Sequence, residues 1–160
     1  MKQLIVSSAL AGILSLNFAT AGLALITQPA DERARQALMP RSNDPIWSIL
    51  QKSRISADQQ RGLFLADNPP EVVALDGREM TVSGFILALD PSPRFNHFLL
   101  TRNTPVCAFC PPGQPNEAIE VYTTRPLRYT GGPVTVKGRF KLENNAEAGL
   151  FFRLEVAELS

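Results

Sequence analysis

Apolar and polar residues alternate most regularly near the C-terminus of this chain. Val134, Val136, Gly138, Phe140 and Leu142 interleave with Thr135, Lys137, Arg139 and Lys141. A period of two predicts a half-buried strand. Leu150, Phe152, Leu154 and Val156 interleave in the same way with Phe151, Arg153, Glu155 and Ala157. Three earlier runs have strand character. Glu79 to Leu89 alternates loosely around Gly84, a glycine that marks a bulge or sharp bend. Phe95 to Arg102 is rich in Phe and Leu, and Glu117 to Thr123 places Ile119 and Val121 inward. Turns separate the runs at Asp90-Pro91-Ser92-Pro93, Tyr129-Thr130-Gly131-Gly132 and Asn144-Asn145.

The pattern before Asp76-Gly77 is different. Asp44-Pro45 reads as a helix start, with Asp as N-cap and Pro at the first helical position. Ile46, Trp47, Ile49 and Leu50 give that helix an apolar face, and Trp47 is predicted to pin it to the sheet. Ser56-Ala57-Asp58-Gln59 matches a capping box for a further helix, ending by Asn68-Pro69-Pro70. Gln28 to Met39 is charged and Ala-rich, a short helix that Pro40 ends. Five strands with short connections predict a mainly β fold, a small OB-like barrel with a short N-terminal helix. A two-sheet β-sandwich is the other architecture that fits. Thr124 to Gly132 is too short for a helix between the third and fourth strands, so the helix at Asp44 is expected to cover that end.

The first residues read as an export signal: Lys2, an apolar run from Leu4 to Leu16, and a small-x-small site at Ala19-Thr20-Ala21. Leu23 to Ile26 prolongs the apolar run, as a retained anchor would. The expected organisation is a signal peptide over 1–21, a flexible segment over 22–43 and one barrel domain over 44–160. The expected location is the periplasm, with no integral membrane segment after cleavage. Lys2 is the one basic residue before position 22, so 16 Lys+Arg become 15 against 15 Asp+Glu. That balance excludes the basic excess of a nucleic-acid binder. The outer-parity Lys137, Arg139, Lys141 and Arg153 read as a solvated face, offset by Glu155 and Glu158.

Both cysteines lie in one stiff loop, Val106-Cys107-Ala108-Phe109-Cys110-Pro111-Pro112-Gly113-Gln114-Pro115-Asn116-Glu117. Three chemistries fit Cys107 and Cys110. An exported pair this close forms a structural disulfide, worth about 2 kcal/mol on the loop-entropy model. Cys-x-x-Cys is also ligand spacing for zinc or copper as Cu(I). His97, the one histidine, is the candidate third ligand, and Glu117 or Asp90 a fourth. Thiol–disulfide exchange needs a helix after the first cysteine, which Pro112, Gly113 and Pro115 oppose. Pro111, Pro112, Asn116 and Glu117 shape the loop. One histidine without Ser/His/Asp spacing favours a binding protein over an enzyme.

Leu75-Asp76-Gly77-Arg78, Val82-Ser83-Gly84-Phe85, Phe98-Leu99-Leu100, Cys107 and Pro111-Pro112 to Asn116 follow one another in an order that resembles the exported bacterial family catalogued as domain of unknown function 3299. The resemblance runs from about Trp47 to Leu159. The family loop reads Cys-x-His-x-Pro-Pro-Pro-x-Pro-Asn-Gln, with Phe109 here at the histidine position, Cys110 at an aliphatic one, Gly113 at a proline and Glu117 at a glutamine. The resemblance implies a periplasmic accessory role in metal handling, with an envelope protein or transporter as partner. A disulfide-stapled interaction module without metal is the alternative.

Overall fold

The computed structural model describes residues 30–106 and 112–160. Its elements are α1 (Ala30–Ala37), α2 (Pro45–Leu50), β1 (Arg54–Asp58), β2 (Leu63–Asp67), α3 (Pro70–Val73), β3 (Glu79–Ala88), β4 (Phe95–Thr101), a 3-10 turn (Pro115–Glu117), β5 (Ala118–Leu127), β6 (Val134–Asn145) and β7 (Leu150–Leu159). The barrel begins with the bend in β3. Residues Glu79 to Gly84 pair with β6, and Phe85 to Ala88 pair with β4. Gly84 lies at the changeover, where an added Cβ would stand 2.7 Å from Thr101 O, so only glycine lets the two strands approach. One strand thus serves two neighbours, and the sheet closes in the order β3-β4-β5-β7-β6, with β5 and β7 parallel. This is the OB-like barrel, and the β3–β6 pairing closes what a sandwich would leave as two sheets.

Inward residues follow the alternation. Val82, Ile86, Phe98, Leu100, Ile119, Val121, Val136, Phe140, Phe152 and Leu154 fill the interior. No helix lies between β5 and β6. Instead α2 packs on the barrel with Trp47 and Leu50 completely buried. Asp44 caps it: Oδ1 accepts from Ile46 N at 3.0 Å, and Oδ2 accepts from Ser83 N at 2.8 Å. Trp47 Nε1 donates to Ser83 O at 2.8 Å. The indole therefore buries its ring and still satisfies its one donor.

Three features differ from the expectations. Ser56–Gln59 does not start a helix; β1 and β2 form an antiparallel hairpin outside the barrel. Asp58 Oδ1 accepts from the backbone N–H groups of Gln60 and Arg61, and Gly62 takes φ +66, so local turn chemistry outcompetes the capping box. The hairpin buries Phe64 against Gly149. Phe151, expected outside, is buried with Phe152 in the core cluster, because the barrel wall is itself covered there. Val156 and Ala157 exchange roles: Ala157 is buried and Val156 is 69 % exposed. A bulge between Glu155 and Glu158 causes this, since β6 spends two residues, Arg139 to Lys137, against three steps of β7. Helix α1 lies where Gln28 to Met39 was expected to form one, and hydrogen bonds tie the stretch after it to the barrel. Arg41 bridges to Asn103, Ser42 N donates to Arg102 O at 2.8 Å, and Ser42 Oγ donates to Ser83 O at 2.6 Å.

Phe140→Ala should cost about 3–5 kcal/mol in denaturant unfolding, as large-to-small core changes do. Lys137→Ala, on the exposed parity, should cost under about 0.5 kcal/mol. Val156 holds φ +51, a left-handed conformation that a β-branched residue adopts only under strain. Val156→Asn should therefore stabilise by about 1 kcal/mol, and a loss would show that the valine packs in solution.

Candidate functional site

The cysteine loop leaves the barrel after β4 and returns at the start of β5. Cys107, Cys110 and Pro111 lie outside the described residues. The returning arm is built around one carboxylate. Glu117 Oε1 accepts from Gln51 Nε2 at 2.7 Å and from Arg102 at 3.0 Å. Oε2 accepts from Asn103 Nδ2 at 3.1 Å and from Gln114 N at 3.2 Å. The Glu117 backbone joins in: its N–H donates to Gln114 O at 2.8 Å, and its carbonyl accepts from Arg102 N at 3.0 Å. Asn116 Nδ2 donates to the carbonyls of Gln51, the C-cap of α2, and of Ser53, in the turn that leads from α2 to β1. Pro112 is buried. Gly113 takes φ +94, and an added Cβ would meet Asn103 Nδ2 at 2.6 Å as well as the Glu117 carboxylate. Proline, fixed near φ −65°, cannot occupy this position. The arm is thus closed around Glu117 at a point where only glycine fits.

The other predicted ligands are occupied elsewhere. Asp90 Oδ1 accepts from Ser92 N at 2.8 Å and shapes the β3–β4 turn. His97 sits mid-way along β4, opposite Tyr122, about 13 Å along the strand from Thr101. Its ring stacks on Tyr122, with centroids 4.3 Å apart. Its Nε2 is 2.9 Å from Glu120 Oε1.

Glu120 is the centre of a polar cluster that sequence reasoning missed. It pairs laterally with Leu99 on β4 and Arg153 on β7. Its Oε2 accepts from Arg153 Nε at 3.1 Å, and Tyr122 Oη donates to Oε1 at 3.1 Å. Arg153 also reaches Glu143 at 2.7 Å and lies 5.4 Å from the Tyr122 ring centre. Burial pushes the Glu120 pKa up, but hydrogen bonds from His97, Arg153 and Tyr122 and the Arg153 charge outweigh it, and the carboxyl stays below its usual value. Burial and the Glu120 charge raise the Tyr122 phenol. Burial alone would lower the Arg153 guanidinium, yet its bonds to Glu120 raise it. The signal for this cluster was present in the parity. Glu120 alternates with the inward Ile119 and Val121, and Arg153 with Phe152 and Leu154.

Among the described residues, no group of three or more His, Cys, Asp and Glu side chains is placed to hold a metal ion. Among them, too, no helix is long and apolar enough to cross a membrane.

A pH series tests the Glu120 cluster. A carboxyl held below its unfolded value stabilises fully above that value, near pH 4.5, and the contribution disappears as pH falls through the lower folded value. Unfolding free energy should therefore drop below about pH 4.5. Glu120→Gln should flatten that acid limb, and an unchanged limb would remove Glu120 from the account.

No curated protein matches the chain. A solved structure of a DUF3299 family protein from Pseudomonas aeruginosa PAO1 is similar, at 20% identity over 78% of this chain and 93% of that one, with a TM-score of 0.49. The model of the family described as "Protein of unknown function (DUF3299)" matches residues 23–155, and the chain belongs to that family.

Proposed function

We propose that this protein is an exported, periplasmic accessory protein that carries one thiophilic metal ion, zinc or Cu(I), on Cys107 and Cys110, and performs no reaction of its own. The observation that supports this reading is the rigid arm beside the cysteines. Four donors on the Glu117 carboxylate and two carbonyls capped by Asn116 tie the downstream end of the loop to the residues that follow α2 and β4 before anything binds. Preorganisation of this kind lowers the ordering cost of binding. The same contacts argue against catalysis. A carboxylate that accepts four hydrogen bonds is a poor general base, and His97, the one imidazole, is held by Glu120 and Tyr122. Thiolates select d10 ions such as zinc and Cu(I). A site of two thiolates leaves positions open, which suits an ion that must pass to an envelope partner or transporter.

Protein isolated from the periplasm without reductant should start at Gly22 by intact mass, with two free thiols and one equivalent of metal. Reduced protein should bind one equivalent of zinc or Cu(I), more weakly as pH falls, because the thiolates must lose protons first. Cys107→Ser and Cys110→Ser should each remove most of the affinity. A mass two hydrogens light, with no free thiol and no metal, would replace this reading with the disulfide-stapled module.

A further inference from the structure

A groove of about 610 Å³ lies beside the bend in β3, apart from the Glu117 arm and the Glu120 cluster. Its walls come from residues 39–44, from Ser83 and Phe85 on β3, from Thr104 and from residues 131–133 of the turn between β5 and β6. That volume is in the range of small-ligand sites. Met39, Pro40, Phe85 and Pro133 make the wall mostly apolar. Met39 is 41 % exposed there. Gly131 and Gly132 bring no side chain to cover it, and a Cβ added at either would meet nothing within 4 Å.

Among the described residues, two ionisable side chains line the groove, Arg41 and Asp44. Asp44 is already satisfied, since its oxygens accept from Ile46 N and Ser83 N. Arg41 is not. Its backbone bridges to Asn103 and is followed by Ser42, whose hydroxyl donates to Ser83 O, so the chain is fixed on both sides of it. Among the described residues its guanidinium forms no ion pair and no hydrogen bond. Asn43, exposed two residues on, has an amide that is likewise without a partner. The uncompensated charge of the groove is therefore positive, and it stands on an anchored backbone beside an apolar wall.

We propose that this groove binds a small amphiphilic carboxylate, with its apolar body along Met39, Phe85 and Pro133 and its head on Arg41. A guanidinium matches a carboxylate in shape as well as charge, and holds it with paired N–H donors. A monoanion suits the site better than a phosphate head, because a second negative charge would face Asp44 with no further cation to meet it. The site uses neither cysteine, so it goes beyond the metal reading and stands or falls separately from it.

The test follows backbone amide NMR shifts of the mature protein during titration with octanoate, 1-octanol, octylammonium and octyl phosphate, each below the concentration at which it forms micelles. Octanoate should bind about tenfold more tightly than octanol, the scale of a hydrogen bond to a charged group. It should shift the amides of residues 41–44, Gly131 and Gly132 most. Octylammonium should bind more weakly than octanol. Arg41→Gln keeps the backbone bridge, so it should melt at the wild-type temperature. It should bring octanoate down to the octanol affinity and change octanol by less than about twofold. Met39→Ser, at an exposed position of the apolar wall, should weaken octanoate and octanol alike. Unchanged octanoate affinity in Arg41→Gln overturns the inference, as does octanoate that binds no more tightly than octanol. Shifts confined to another surface, or a Met39→Ser protein that keeps both affinities, overturn the placement in this groove. Tighter binding of octyl phosphate overturns the carboxylate assignment, and a wild type that binds none of the four overturns the site.

Discussion

The fold depends on how Ser83 is held. A strand that bends from one neighbour to another leaves backbone groups at the bend short of ladder partners, and a buried unpaired amide costs about as much as a lost hydrogen bond. At Ser83 the N–H donates to Asp44, and the carbonyl accepts from Trp47 Nε1 and from Ser42 Oγ. Its hydroxyl meets Thr135 Oγ1 at 2.8 Å. Gly84 then lets β3 pass against Thr101. These contacts do two things at once. They let one strand pair with both β6 and β4, which closes the barrel, and they fix α2 against it. Because α2 is fixed, the Gln51 and Ser53 carbonyls that follow it and the Gln51 amide present a rigid edge to Asn116 and Glu117. The geometry of the cysteine loop's return is thus inherited from a bend some thirty residues earlier in the chain.

The second constraint is electrostatic and acts where β5 and β7 run parallel. Parallel pairing is slightly weaker per residue than antiparallel pairing, and here it is interrupted after Val121 by a register shift. Glu120 spans that seam, joined to His97 on β4 and to Arg153 on β7. Its burial is unfavourable by itself. Three donors and a neighbouring guanidinium outweigh that cost, as the lowered pKa indicates. The bulge at Val156 shows the same seam from the other side. It brings the small Ala157 under Gly138, where an added Cβ would stand 3.0 Å from Ala157 Cβ. The barrel closes there with the smallest residues it has, and a strained exposed valine is the consequence.

The barrel was legible because its strands obey a period of two that local sequence carries directly. Asp44-Pro45 and Trp47 were legible for a similar reason, since capping and indole burial are local chemistry. The hairpin over residues 54–67 was not. Ser56 to Gln59 satisfies a helix start as well as a strand, and what decides between them is Phe64, whose cavity against Gly149 exists only once β6 and β7 have turned. The bulge was illegible too, because alternation cannot register an inserted residue without knowing its partners. At the site, the loop was placed by its two cysteines and prolines, and Asn116 and Glu117 were read as shaping residues from their positions in it. The function of Glu117 as a four-donor anchor needed Gln51, Arg102 and Asn103, which lie 66, 15 and 14 residues away in sequence.

The two arms of the cysteine loop share one anchor. Glu117 on the downstream arm accepts from Arg102 and Asn103 on the upstream arm, with side chains only 12 % and 21 % exposed for Glu117 and Arg102. Such charge-assisted bonds are short, directional and about twice as strong as neutral ones. Neutral bonds add to them on the upstream side: a β-bridge from Arg41 to Asn103, a Ser42 amide on the Arg102 carbonyl, and Gln36 on the Thr104 carbonyl. Individually these are worth about 1 kcal/mol each. The base of the loop is therefore closed by contacts among Arg102, Asn103, Gln114 and Glu117, and neither cysteine is needed to hold it.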